Sequence, residues 1–246
     1  MTSRVLDPET LRRLAAIDTP TVCNVIELFA VRPQNRGYMD QRIWAAYADL
    51  PPMVGYASTV AFRGDAPSDG SSGYSSFDRH VEHLAGLPRP AVVVVQDLDD
   101  PPLAASFGEV LCSSYQAFGS AGIVTSGAGR DLAAVRAMEF PVFMGSRIVA
   151  HGYPNALHVG QPVRVGGLMI HEGDLLHGDA DGVTTIPPEI AAEIPDVTAE
   201  FLAAEHLVID YVRGAAEPTV AGYREAWAAF RAAVEDLARR VRRRDV

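Results

Sequence analysis

The sequence predicts an α/β fold, and three observations carry that prediction. Residues 91–144 alternate strand, helix, strand, helix, strand at intervals that suit parallel pairing. The run Ala91-Val-Val-Val-Val-Gln-Asp97 is continuously apolar, as expected of a strand buried on both faces. From Pro188 onward the pattern is helical in two segments, which makes residues 191–246 a helical C-terminal extension to an α/β domain of residues 1–190.

Each element has a local reason. Asp7-Pro8-Glu9 supplies an N-cap acid, a proline at the first turn and a carboxylate at the positive helix end, so LRRLAAI is a helix. Thr19-Pro20 repeats the signal and opens a helix through Phe29. Residues 32–52 show no period and are expected to wrap the surface. Val54–Phe62 reads as a strand, Gly64–Ser76 as a polar loop, and Phe77–Leu87 as a short helix carrying His80 and His83. After the 91–97 strand come a loop at Asp99–Pro102 and a helix from about Phe107 to Phe118. A short strand Gly122–Thr125, a tight turn Gly127–Gly129, a helix Asp131–Met138 and a strand Pro141–Met144 follow. Pro162–Ile170 reads as a hairpin around Gly166-Gly167, and Asp174–Leu176 and Gly182–Ile186 as strands joined through Gly178–Gly182. The C-terminal helices split near Gly214–Pro218.

Composition removes whole classes of chemistry. The chain of 246 residues has 21 basic and 31 acidic side chains and a net charge of −10, and every basic residue is arginine. Without lysine there is no side-chain Schiff base, no internal aldimine to pyridoxal phosphate, no GxxxxGK[ST] loop and no kinase-type phosphate lysine. The acidic balance speaks against nucleic-acid binding. The terminal RRVRRR is read as cations favoured at a helix C-terminus rather than as a nucleic-acid tail. Cys23 and Cys112 match no metal or redox spacing, which suggests reduced thiols and a cytoplasmic location. MTSRVLDPETLRRL has no apolar core of a signal peptide, and the longest apolar run, Ala91–Val95, is too short to span a bilayer.

Two segments could carry chemistry. In Ser106-Phe107-Gly108-Glu109-Val110-Leu111 a glycine precedes a helix whose first N–H groups lack intrahelical acceptors, a place for a carboxylate or phosphate. Glu109 there either serves the site or compensates the helix dipole. In Ser126-Gly127-Ala128-Gly129-Arg130-Asp131 a glycine-rich stretch follows a buried strand and delivers an Arg-Asp pair at the carboxyl end of the sheet. Arg130 offers a planar fork for a carboxylate, and Asp131 a hard oxygen ligand for a cation. The alternative is that Asp131 caps the following helix and Arg130 pairs with it. His80-Val-Glu-His83, His151, His158, His171 and His177 have no zinc-ligand spacing, and GxSxG, GxGxxG and CxxC are absent.

The stretch from Phe107 to Asp131 resembles the core of the RraA-like family, which holds 4-hydroxy-4-methyl-2-oxoglutarate and 4-carboxy-4-hydroxy-2-oxoadipate aldolases together with regulators of ribonuclease E. The likeness continues through Phe140-Pro-Val-Phe143, Pro162–Gly167, Gly173-Asp174, Asp179–Val183 and Ile186-Pro187, and covers most of residues 17–190. It implies a swivelling β/β/α-type sandwich, trimers or dimers of trimers, and a site between subunits. It further implies that Arg130 and the N–H groups of Val110 and Leu111 beside Gly108 hold the carboxylate of a pyruvyl group. Asp131 would bind Mg²⁺ or Mn²⁺, Glu109 would hold the metal's waters, His80 would be an acid–base candidate, and Glu205 of a neighbouring copy would complete the site. The chain departs from the pattern at Gly64–Gly73, at Ser126 and at Gly160–Val163. These departures leave the pyruvate and metal half intact and bear on the rest of the substrate.

The expected function is therefore a divalent-metal-dependent lyase. It would cleave a 4-hydroxy-2-oxo dicarboxylic acid to pyruvate, with oxaloacetate decarboxylation as a related activity. A pyruvate enolate needs either a lysine Schiff base or a cation, and composition removes the first. The alternative is a non-catalytic binding protein of the ribonuclease-regulator type. Methyl transfer is discounted because no glycine-rich nucleotide loop is present.

Overall fold

The computed structural model describes residues 5–67 and 75–243. The chain divides into two compact units, residues 1–19 with 37–188, and residues 20–36 with 189–246. The elements run in the order α1 (Pro8–Leu14), α2 (Thr19–Phe29), β1 (Trp44–Ala45), β2 (Met53–Arg63), α3 (Ser75–Ala85), β3 (Ala91–Asp97), β4 (Ala105–Phe107), α4 (Glu109–Ala117) and β5 (Ser120–Gly129). They continue with α5 (Leu132–Ala137), β6 (Val142–Arg147), β7 (Asn155–Val159), β8 (Val163–Val165), β9 (Leu168–Ile170), β10 (Leu175–Asp179), β11 (Gly182–Ile186), α6 (Ile194–Gly214) and α7 (Val220–Val241). The α/β class and the helical C-terminal part expected from the sequence are both present.

In the first unit, the main sheet has the order β1-β6-β5-β3-β2-β10-β11. Strands β2, β3, β5 and β6 pair in parallel, β7 pairs antiparallel with β2, and β4 pairs in parallel with β5. The run of valines in β3 is apolar at every position because the sheet is covered on both faces. Val93 and Val95 pack with Phe77 and Leu84 of α3, Cys112 and Tyr115 of α4 and Val135 of α5. Val92 and Val94 face the other way, against Val163, Val165 and Ile170 of the β8–β9 hairpin. That hairpin turns at Gly166 and Gly167, both at positive φ of 53° and 76°, the conformation a two-residue primed turn requires.

Several expectations are corrected. Residues 37–47 do more than wrap the surface. Met39 and Ile43 enter the core, and β1 adds an edge strand through Trp44↔Met144. Their spacing follows neither a strand nor a helix period, so periodicity could not reveal them. β5 does not end at Thr125. It runs on to Gly129, so residues 127–129 are extended strand rather than a tight turn. Gly129 is needed there for close packing, since a Cβ would lie 1.9 Å from the Phe107 ring. β4 and β7 were not foreseen, being short and weakly apolar. Of the expected loop Gly64–Ser76, and of RRVRRR, residues 68–74 and 244 lie outside the described residues.

The second unit contains most of α2 with α6 and α7. Phe201, Ala204 and Leu237 are buried, and Arg240 forms an ion pair with Glu200 at 2.5 Å. Arg243 pairs with Glu193, and its guanidinium lies 5.4 Å from the centre of the Phe29 ring. Arg239 reaches Asp236 at 3.1 Å. Three arginines of the basic C-terminal run thus have carboxylate partners within their own unit.

Candidate active site at the end of β5

The site is built where β5 ends against the start of α4. The backbone N–H of Arg130 donates to the Phe107 carbonyl at 3.2 Å, which ties the end of β5 to β4. Asp131 follows in the left-handed region at φ 57°, an uncommon conformation for a residue with a Cβ. It occupies the N-cap position of α5, yet its carboxylate does not cap that helix. Instead Oδ2 accepts a hydrogen bond from the Glu109 N–H of α4 at 3.2 Å and lies 3.5 Å from Arg130 Nε. Asp131 is therefore turned back toward α4 rather than spent on its own helix.

Gly108 makes this approach possible. Its backbone is extended at φ −157°, so conformational freedom is not the reason for glycine. A Cβ there would lie 2.6 Å from Asp131 Oδ2 and 3.2 Å from Arg130 Nε. The absence of a side chain lets the N-terminus of α4 and the Arg-Asp pair share one space. The first bond of α4 runs from Cys112 N–H to the Gly108 carbonyl at 3.0 Å, so Val110 and Leu111 hold N–H groups with no acceptor inside the helix.

Arg130 and Asp131 form a wall shared by two cavities. One, of about 130 Å³, is lined by Phe107, Gly108, Val110, Leu111 and His151. The other, of about 400 Å³, is lined by Gly129, Leu132, Arg147, Ile148 and Val149. The side chains of Arg130 and Asp131 are 31% and 42% exposed, open to a ligand while anchored by the backbone. Glu109 is exposed in the first turn of α4.

The structure thus brings together Gly108, Glu109, Val110, Leu111, Arg130 and Asp131. It does not bring His80 to them. His80 lies on α3 with no exposed surface and lines neither cavity. Its Nε2 is 3.2 Å from Ser58 Oγ and its Nδ1 is 3.1 Å from the Tyr115 hydroxyl. The two rings stack edge to face with centroids 5.3 Å apart. Burial, with His83 nearby, pushes the His80 pKa down to about 4, so the ring is neutral. Glu205 lies on α6, in the other unit. Sequence reasoning missed Arg147, which lines the larger cavity beside Arg130. A lone arginine after a strand carries no local signal, and Trp44, over which it lies, falls in a stretch without period.

A third cavity, of about 610 Å³, opens beside the end of β3 and is lined by Asp97, Asp99, Asp100, Arg42, Arg164 and Ser126 among others. Asp97 Oδ1 accepts from the Asp99 N–H at 3.0 Å, but its Oδ2 is buried with no hydrogen-bond partner. Burial, with the Asp99 charge beside it, raises the Asp97 pKa to about 6. Among the described residues, no group of three or more His, Cys, Asp and Glu side chains could hold a metal ion, and no helix is long and apolar enough to cross a membrane.

A Halalkalibacterium halodurans protein named "Putative 4-hydroxy-4-methyl-2-oxoglutarate aldolase" is 38% identical over 99 residues, 40% of this chain and 47% of that protein. The chain thus spans about half the length of that relative. The structure of Streptomyces coelicolor RraAS2, described as an unusual member of the RNase ES inhibitor RraA protein family, superposes with a TM-score of 0.65 at 25% identity. That match covers 81% of this chain and 96% of RraAS2. An uncharacterised Pseudomonas syringae pv. tomato protein shares the fold with a TM-score of 0.71 at 20% identity, over 93% of this chain and 97% of that one. Residues 19–185 match the family described as RraA-like: Aldolase/RraA, and the chain belongs to that family.

Proposed function

We propose that this chain is a divalent-metal-dependent lyase that cleaves a 4-hydroxy-2-oxo dicarboxylic acid to pyruvate, with oxaloacetate decarboxylation as a related activity. The observation that supports it most is the placing of the Arg130 fork and the Asp131 carboxylate against the N-terminus of α4 across Gly108. The Arg130 guanidinium and the N–H groups of Val110 and Leu111 bind the carboxylate of the pyruvyl half and set its orientation. Asp131 Oδ1 has no hydrogen bond among the described residues, while Oδ2 is held by Glu109 N–H. One free hard oxygen, with the exposed Glu109 carboxylate in the first turn of α4, fits Mg²⁺ or Mn²⁺, which keep most of their waters. It does not fit zinc, which needs three or four protein ligands. A bound Mg²⁺ or Mn²⁺ supplies Lewis-acid polarisation of the substrate's keto group, the task that lysine performs elsewhere and that this lysine-free chain cannot assign to an amine. His80, with both ring nitrogens engaged, is a structural residue in this proposal. Self-assembly as a trimer or hexamer, with Glu205 of a neighbouring copy completing the site, belongs to the same proposal.

The test is pyruvate release from a panel of 4-hydroxy-2-oxo acids and oxaloacetate with Mg²⁺ or Mn²⁺, with and without chelator. Wild type is expected to turn over at least one, chelator to stop it, and Asp131→Asn to lower kcat/KM by about 1,000-fold, the order seen when an electrostatic group of an active site is removed. Asn tolerates the left-handed backbone, so this variant removes charge without strain. No turnover on any substrate, with metal binding unaffected by Asp131→Asn, overturns the reading. A second reading, a non-catalytic regulator of a ribonuclease, is favoured by the likeness to RraAS2 over most of the chain. Inhibition of a ribonuclease E-type enzyme by a preparation that is blank in every turnover assay would support it.

A further inference from the structure

We infer that Arg147 is the specificity residue that binds the second carboxylate of the substrate. This rests on the lyase reading above and extends it to the half of the substrate that Arg130 does not hold.

Arg147 closes β6 and is paired in register with Gly129, the residue before Arg130. The two strands are parallel neighbours, about 4.8 Å apart. Arg130 and Arg147 line the same cavity of about 400 Å³, and among the described residues Asp131 is the only acidic one that lines it. Asp131 already serves Arg130 and the Glu109 N–H. Among the described residues, no carboxylate pairs with Arg147. Other arginines do have one: Arg42 has Asp40, Arg63 has Asp65, Arg136 has Asp49 and Arg240 has Glu200.

Arg147 is nonetheless held. Its guanidinium carbon lies 5.0 Å from the centre of the Trp44 ring, and Trp44 is fixed by pairing with Met144, three residues before Arg147. A cation over an aromatic face is oriented without being neutralised, so its charge stays available. One cavity is therefore lined by two arginines and one aspartate. That is the complement of a ligand with two carboxylates and a metal-chelating centre, because each fork suits one planar carboxylate. A monocarboxylic 2-oxo acid would satisfy Arg130 and leave Arg147 idle.

The experiment compares wild type, Arg147→Gln and Arg147→Lys on a matched pair of substrates, a 4-hydroxy-2-oxo diacid and the 4-hydroxy-2-oxo monoacid lacking the distal carboxylate. Arg147→Gln is expected to lower the ratio of kcat/KM for diacid over monoacid by about 10- to 100-fold, the worth of a charge-assisted hydrogen bond, chiefly through KM. Arg147→Lys, which keeps charge but not the fork, restores part of it. An unchanged ratio overturns the inference. Calorimetric titration with 2-oxoglutarate and with 2-oxobutyrate, in Mg²⁺, separates this from failure of the lyase reading. If no substrate turns over but 2-oxoglutarate binds more tightly than 2-oxobutyrate and Arg147→Gln abolishes the difference, Arg147 stands and the lyase does not. If neither acid binds, or the difference survives Arg147→Gln, the inference falls.

Discussion

The sheet unit contains two polar clusters of similar make-up and opposite character. In the first, His80, Ser58 and Tyr115 lie without exposed surface between β2, α3 and α4, and both imidazole nitrogens end on hydroxyls. In the second, Arg130, Asp131 and the N-terminus of α4 meet at the end of β5. There a carboxylate oxygen and two helix N–H groups remain without protein partners among the described residues, and the Arg130 guanidinium meets only Asp131, through Nε at 3.5 Å. A sealed cluster whose hydrogen bonds are internally satisfied stabilises a fold, whereas an open one with spare donors and acceptors has binding capacity left for a ligand. Titratable residue types alone do not separate the two; their unused hydrogen-bonding capacity does.

The sharpest way to break this comparison is to empty the sealed cluster. His80→Ala removes a fully buried ring and leaves the Tyr115 hydroxyl unpartnered. It should cost about 3 kcal/mol in denaturant unfolding. Turnover per folded molecule should change less than about twofold. The pH dependence has a definite sign. The folded pKa is held near 4, below the ordinary 6.5, so the unfolded chain takes up the proton first. The contribution of neutral His80 is complete above pH 6.5 and is lost as pH falls toward 4, and the variant should lack that slope. A collapse of turnover at full stability would instead make His80 part of the active machinery.

The converse experiment perturbs the open cluster without substituting its charged groups. Gly108→Ala has no backbone reason to fail, but its methyl would press on Asp131 Oδ2 and Arg130 Nε. Displacement of about 1 Å at such a site lowers kcat/KM by about 10- to 100-fold, while stability should move by less than about 1 kcal/mol. A variant that unfolds but keeps its specific activity would mean that Gly108 serves packing rather than the site.

Much of this was legible in the sequence, and the illegible part has physical causes. The valine run of β3 announced a strand covered on both faces, and Asp7 and Gly166-Gly167 announced a cap and a turn, because each depends on the residue itself and its immediate neighbours. Gly108, Arg130 and Asp131 could be singled out for the same reason. What could not be read is what long-range pairing decides. The Gly-Ala-Gly stretch is a strand because β4 and β6 flank it, Asp131 turns away from its own helix because α4 offers an N–H, and Arg147 joins Arg130 only through the β5–β6 register. His80 looked like a candidate on residue type and resemblance, and only packing reveals that its nitrogens are occupied.

Asp97 stands between the two regimes and gives the smallest effect. One of its oxygens is bonded to the Asp99 N–H, the other is buried against Gly127 with nothing to accept from, and the residue borders the largest of the three cavities. Its folded pKa near 6 lies above the ordinary 3.8, so ionised Asp97 lowers stability. The relative benefit of the protonated form is present below pH 3.8 and is lost as pH rises through 6. Asp97→Asn removes the charge but places an amide N–H₂ where no acceptor waits, which costs about 1 kcal/mol of the gain. The net expectation is a stabilisation of about 1 kcal/mol at pH 8, vanishing or reversing at pH 4, measured by urea unfolding at both pH values. A loss of stability at pH 8 would mean that the carboxylate has a partner in solution, and would move Asp97 from the unsatisfied core groups to the class of Arg130 and Asp131.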